Sequence, residues 1–280
     1  DLSDVKGAGA IMTDANLRGA RLVRGAFTDA QFGGADLSHC DLSEASFRRS
    51  DLTGASLQSA TAVRACFDHA ILNCVAHRAS FRLASLVDTE IGASDFKDCD
   101  FSYARLSGVS MRRAVWHGAS FHEATLFRCN LEGLTIDGAD FTKANLAGSL
   151  LTGSVMPGAC FRDACLTDTG LAEIDWEGAD LSDADLRNAS FHLGSSRSGL
   201  VGSTIPCEGS RTGFYTDDFY EQDYKSPEEI RKAALVGADL RGANLSHTDF
   251  YLVDLRGAKY TEDQERHFVL CGAILATRVS

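Results

Sequence analysis

Proline is nearly absent from this 280-residue sequence, at three residues, and methionine and tryptophan are as scarce, at three and two. So few prolines leave backbone N–H groups free to pair along almost the whole chain. No stretch approaches the roughly 18 consecutive apolar residues that a membrane helix needs, and the opening DLSDVKGAGA lacks the charged-then-apolar order of a secretory leader. These absences point to a soluble chain with no membrane partner. Basic residues are in deficit, 27 Lys and Arg against 39 Asp and Glu for a net charge of −12. Phosphate binding needs clustered cations, so nucleic acid is rejected as a direct ligand and a basic protein becomes the complementary partner. A Gly-rich phosphate loop, HExxH and GxSxG are missing too, so the reading is a chain that is not an enzyme and uses no cofactor.

What is present is glycine, 26 residues, and a period. In ADLSHCDLSEASFRRSDLTGASL, residues 35–57, Leu or Phe returns every fifth residue with Ala, Ser or Cys two places earlier. With the large residue as the centre, centres run from Leu17 to Leu57, from Phe81 to Phe191 and from Leu235 to Tyr260. Five matches neither a helix at 3.6 nor a strand at 2, so each unit must turn a corner. The large and small residues then face inward, and the other three positions, rich in Asp, Asn, Ser, Arg and Gly, face water. Gly at the last position, as in Gly19, Gly54, Gly148 and Gly242, relieves the corner.

Identical side chains stack from coil to coil, so the centres also count the corners. Phe81, Phe101, Phe121, Phe141 and Phe161 recur at every fourth centre, Leu86 to Leu186 do the same, and Phe27, Phe47 and Phe67 form a shorter column. Four repeats make a coil. At about 4.8 Å per coil, the chain builds a rod on the order of 50 Å long. The expected fold is all-β, a four-sided β-solenoid with about four repeats per coil, an inserted loop and a C-terminal capping helix.

The ADL, ANL and SDL units with their five-residue return resemble the pentapeptide-repeat family over nearly the whole chain. The resemblance implies a right-handed quadrilateral β-helix. It specifies fold more than role, because members of the family differ widely in what they do.

The repeats divide the chain into a solenoid over 1–193, an inserted loop over 194–233, final repeats over 234–260 and a cap and tail over 261–280. Nine residues separate Leu72 and Phe81 where ten are needed, so the register breaks near 73–80, with His77 placed near a centre. Within the loop, Ser226, Pro227 and Glu229 read as a helix start. Thr261 and Gln264 form another capping box, opening a helix through about Leu270 that stops before Gly272, with Phe268 or Leu270 over the terminal core. Repeat-like spacing reaches back to Leu2, which leaves that end open to a missing cap or to a second copy in a homodimer.

Adjacent coils bring together residues four repeats apart, and none of the nine cysteines is so paired. Cys40, Cys99 and Cys129 take the inward small slot as reduced thiols, which favours the cytoplasm. Cys160 and Cys165 lie outward without a CxxC or a nearby His pair, and His117 and His122 fall at matching outward positions; neither group makes a metal site. Trp116 and Trp176 sit at centres and belong to the core.

The acid is uneven. Residues 1–76 carry nine acids against seven bases, whereas Asp163 to Asp185 holds eight acids, Asp175, Asp180, Asp183 and Asp185 among them, and no base. That stretch leads into a loop placing Asp217, Asp218, Glu221 and Asp223 among Phe214, Tyr215, Phe219, Tyr220 and Tyr224. Aromatics supply contact area and acids steer a basic partner, so this end is read as the recognition surface of a non-catalytic protein scaffold. The family resemblance implies an alternative. Some members look like B-form DNA and bind DNA gyrase or topoisomerase IV, protecting them from poisons.

Overall fold

Every five-residue unit closes a corner the same way. The carbonyl of the inward centre accepts a hydrogen bond from the N–H three residues on, as in Ala45 to Leu42 at 3.1 Å and Ala104 to Phe101 at 3.0 Å. The residue just before that donor has positive φ, 59° at Glu44 and 62° at Tyr103. Four residues closed in this way form a type II turn. Glycine takes the left-handed position at Gly54 and Gly148, but among the described residues side chains outnumber glycines there, from Asp4 to Leu252. The corner is therefore not reserved for glycine. The outward Asp or Asn just before the centre braces it, because its Oδ1 accepts the N–H two residues later: Ser38 to Asp36 and Ser102 to Asp100 at 2.9 Å, Thr142 to Asp140 at 3.0 Å.

Between corners, that same outward residue pairs in parallel with its counterpart one coil on, Asp36 with Ser56 and Asp100 with Ser120. The pairing interval spans four corners, so the solenoid is four-sided. Backbone groups are satisfied by the next coil, Leu37 N–H to Ser56 O at 2.8 Å and Ser56 N–H to Ala35 O at 2.9 Å.

The computed structural model describes residues 1–192 and 232–275. They belong to two units, Asp1–Asn130 with Ala139–Ala144, and Leu131–Gly138 with Asn145–Ser280. In the first, Phe81, Phe101, Phe121 and Phe141 stack at 4.8, 5.6 and 5.0 Å with nearly parallel rings, each buried ring contributing about 1.5–3 kcal/mol. Trp116 lies buried on Phe96 at 4.6 Å and donates to Met111 O. Near the N-terminus Gly7 occupies a centre, and the Phe27 ring fills the space its Cβ would need, 2.7 Å away.

The register break falls between Leu72 and Ala76, where the positive-φ residue of one corner is missing. Partners across it, Ser56 with Val75 and Ile71 with Glu90, are closer in sequence by one position, and the full interval resumes at Val75 with Asp95. Because Cys66 pairs with Ser85, Phe67 is followed on its wall by Leu86, and the Phe column moves to the wall of Ala62, where Phe67 meets Phe81 edge-on at 5.8 Å. Ala76, not His77, takes the centre. His77 lies one residue beyond it, half-exposed, with Nε2 2.6 Å from Asp95. Buried Ser94 repairs the lost turn: its hydroxyl lies against Leu72 O and Ile91 O and accepts the Cys74 N–H at 3.0 Å.

In the second unit Trp176 stacks on Phe161 at 4.3 Å, and its Nε1 donates to Ser154 Oγ at 3.0 Å. Asp175 pairs with Ala234 and Ser190 with Asp249, so the inserted segment leaves and returns at one corner with the register intact. The helix start expected at Ser226 lies outside the described residues. Helix α1, Glu262–Cys271, begins at Thr261, whose side chain accepts from Gln264 N–H while Gln264 accepts from Thr261 N–H; Gly272 ends it at φ 77°. Gln264 Nε2 donates to Leu240 O at 2.7 Å and Ala243 O at 3.2 Å, and His267 Nε2 lies 3.1 Å from Thr248 O; the carbonyls of Ala243 and Thr248 are of the kind that a further coil would have used. Phe268 is fully buried against Phe250, whereas Leu270 is 73% exposed and takes no part. Ile274 then pairs with Asp254 and resumes the wall.

Candidate functional site

The second unit carries the acid. Its described residues hold sixteen Asp and Glu against seven Lys and Arg, while those of the first hold sixteen against fifteen. Much of this acid is structural, because the outward Asp slot braces corners. The four predicted aspartates do not form one patch. Asp175, Asp180 and Asp185 occupy successive outward slots on three walls, and Asp183 sits at the corner between the last two, at φ 58°.

Arginines from outside the acidic stretch reach into it. Arg162 contacts Asp180 at 2.7 Å and Arg187 contacts Asp185 at 2.6 Å. The Asp-Leu-Arg spacing of the latter recurs in Asp239–Arg241 and Asp254–Arg256, both at 2.6 Å, where carboxylate and guanidinium bridge the centre from either side. Burial works against ionisation of Asp180, yet the Ser182 hydroxyl and Arg162 hold its pKa below the ordinary value. Arg187 does the same for Asp185, and Arg241 draws Asp239 down to about 2. The sequence hid these pairs because Arg162 and Arg187 flank the base-free stretch by one and two residues, and Arg241 follows the insertion.

Asp163, Asp175, Glu177 and Asp183 remain exposed. The Asp183 carboxylate lies where a Cβ on Gly242 would be, 2.0 Å from Oδ1. Arg162, Ser182, Asp183, Arg241 and Gly242 line a shallow surface hollow of about 410 Å³. Phe214, Tyr215, Asp217, Asp218, Phe219, Tyr220, Asp223 and Tyr224 lie outside the described residues.

Three inward cysteines share one use. Cys40, Cys99 and Cys129 donate S–H to the carbonyls of Leu17, Ala76 and Leu106, centres one coil away, at 2.9, 2.7 and 2.7 Å. Burial pushes the Cys99 and Cys129 thiols up to about 12, so they stay protonated. Cys160 and Cys165 are half-exposed. His122 lies 3.4 Å from Glu123 and 3.8 Å from Asp140. Among the described residues no group of three His, Cys, Asp or Glu is placed to hold a metal ion.

The comparisons with known proteins follow from this repeat. HetL of the cyanobacterium Nostoc sp. strain PCC 7120, described as a pentapeptide repeat protein involved in heterocyst differentiation regulation, is 23% identical, with 96% of this chain and 87% of that one covered and a TM-score of 0.30. Full-length QnrB1, described as a plasmid-mediated fluoroquinolone resistance protein, is 16% identical over 91% of this chain and 95% of its own, with a TM-score of 0.26. A pentapeptide repeat protein from the Arabidopsis thaliana thylakoid lumen is 25% identical over 35% of this chain and 66% of its own, with a TM-score of 0.15. No curated protein matches the chain. The family model for pentapeptide repeats matches eight copies, over residues 35–73, 94–133, 136–171, 171–192 and 230–259. With its repeats matched over more than half its length and its four-sided coils built from them, the chain belongs to the pentapeptide-repeat family, whose fold is the right-handed β-solenoid.

Proposed function

We propose that this chain is a non-catalytic, rigid protein-interaction scaffold whose acid-rich second unit, with the segment inserted beside it, receives a basic protein partner. The observation that carries the reading is the charge of that unit, sixteen acids against seven bases, with Asp163, Glu177 and Asp183 exposed on corners that hydrogen bonds hold in place and Asp175 exposed on a wall. Fixed corners present charge without first having to order it, which lowers the entropic cost of association. The S–H donors of Cys40, Cys99 and Cys129 support the cytoplasm as its compartment.

A mimic of DNA needs a continuous row of free negative charge. The arginines on Asp180, Asp185, Asp239 and Asp254 interrupt such a row, which favours the general scaffold over a topoisomerase ligand. The test uses the full chain with two probes, a labelled Lys- and Arg-rich peptide and gyrase-catalysed supercoiling with and without a quinolone. The peptide should bind, weakening roughly ten-fold when Asp175 and Asp183 become Asn and the stretch 213–225 is deleted. Supercoiling should be unaffected. Inhibition or drug protection that disappears on reversing Asp175, Asp180 and Asp185 to Lys establishes topoisomerase binding instead, and a peptide that does not bind removes the acidic surface as a docking site.

A further inference from the structure

The first unit is close to neutral in total, but its charge is sorted by wall. The wall whose outward slots are Cys66, Ser85, Arg105 and Thr125 is flanked by two rows of corners. One row carries Arg64, Arg82, Leu83 and Tyr103; the other carries Phe127 and Arg128. Each acid along this stretch has a partner: Asp68 with Arg48 at 3.4 Å, Asp88 with His69 at 4.0 Å, and Glu123 with His122 at 3.4 Å. Among the described residues Arg64, Arg82, Arg105 and Arg128 are exposed and have no carboxylate within ion-pair distance. Two of them lie over aromatic rings, Arg82 over Tyr103 at 4.4 Å and Arg128 over Phe127 at 5.0 Å. Phe127 is 39% exposed and Leu83 40% exposed, high values for large apolar side chains.

We propose that this wall is a second docking surface, of opposite charge to the first, and that its occupant is an acidic, aromatic- or aliphatic-bearing protein segment. Tyr, Phe and Arg are the residue types enriched where protein partners bind, and apolar anchors ringed by unpaired guanidinium groups match a segment with acids around hydrophobic residues. Charge complementarity alone also fits a nucleic acid strand, but two features select against it. Guanidinium groups already cover the Tyr103 and Phe127 rings that bases would have to stack on. Asp68, Asp88 and Glu123 also break the run of arginines, so the wall matches acids spaced among apolar residues better than a continuous phosphate backbone. The surface is independent of the acidic one and stands whether or not that one binds.

The full chain is titrated with a labelled peptide of Glu residues interspersed with Phe and Leu, and with the same peptide carrying Ser in place of Phe and Leu. The apolar peptide is expected to bind, to weaken with added salt, and to outbind the Ser version by roughly ten-fold. Combined Arg82→Glu, Arg105→Glu and Arg128→Glu substitutions should abolish binding with an unchanged thermal midpoint, since these side chains are exposed. Should that chain fail to fold, Arg105→Gln alone is expected to weaken binding about three-fold or more. Binding of the basic peptide by the second unit should not change. Absence of binding, equal affinity of the variants, or tighter binding of an oligo(dT) strand or a phosphatidylglycerol vesicle each overturns the assignment. Self-association of the native chain that charge reversal removes makes a second copy the occupant and overturns it as well.

Discussion

The two units use one corner and fill it differently. In the first, an acid at the left-handed position meets a base one coil on: Asp4 is bound by Arg24 at 2.8 Å and Asp29 by Arg49 at 2.7 Å. That pairing is not universal even there, since Asp14, Asp88 and Asp98 face Gly34, Gly108 and Gly118; in the second unit two exposed acids have uncharged neighbours. Asp183 faces Gly242, and Asp168 accepts from Asn188 at 3.1 Å. Exposed pairs of this kind are screened by solvent and add little net stability, so the difference matters little for stability. It decides what the surface presents: a sorted, nearly balanced charge on one unit and exposed acid on the other. The acids that brace corners are the same in both and tell little about partners.

The largest expected effect tests whether the units melt apart. Phe121→Ala removes a ring stacked between Phe101 and Phe141 and should cost about 3–5 kcal/mol. Each unit holds one tryptophan, Trp116 in the first and Trp176 in the second, so Trp116→Phe and Trp176→Phe backgrounds report each unit by fluorescence during urea unfolding. The transition seen by Trp116 should move to lower urea by more than that seen by Trp176. Equal shifts mean that the units unfold as one body and that their contrast is electrostatic only.

A smaller effect isolates the corners. Ala at a left-handed position costs about 1–2 kcal/mol. At Gly19 in the first unit nothing lies within 4 Å of the added methyl, whereas at Gly242 in the second it meets the Asp183 carboxylate. Gly19→Ala should therefore show the backbone cost alone. Gly242→Ala should exceed it, and adding Asp183→Ala should bring the two into line. Equal losses in the single variants would show that the carboxylate swings aside freely, which removes the steric distinction between the corners.

The fold was legible because the period is self-reporting. Centres such as Phe101 and Phe121 recur at the coil interval, and the Thr261–Gln264 box marks the start of α1. Other features were not legible. The five-residue pattern shows which residues face out, but not that Asp36 or Asp100 spends its carboxylate on an N–H two residues later. A one-residue deletion could be counted, but its repair by Ser94 depends on a contact between the lost turn and the next coil. The acidic run was visible as a string, and Arg162 dissolved part of it from a neighbouring coil. The cationic wall was missed for the same reason: Arg64, Arg82, Arg105 and Arg128 are scattered in a chain of net charge −12 and align only once the coil interval and the deletion are both applied.

The smallest expected effect concerns those ion pairs and separates them by burial. Arg241, close to the Asp239 carboxyl, lowers its pKa from 3.8 to about 2. A depressed carboxyl pKa stabilises the fold at pH above the unfolded value and loses that contribution as pH falls through the folded one. The window is therefore from about 4 down to 2. Thermal midpoints of the native chain should fall across it, and Asp239→Asn should flatten the slope there while leaving the profile above pH 5 parallel. The Asp4 carboxyl in the first unit is also lowered by Arg24, but its side chain is 61% exposed against 14% for Asp239. Asp4→Asn should then change the slope less, and added salt should erase its effect before that of Asp239→Asn. Identical profiles for the two variants would mean that the Asp-Leu-Arg clasp is no firmer than a fully exposed pair, and that charge in the second unit is as screened as in the first.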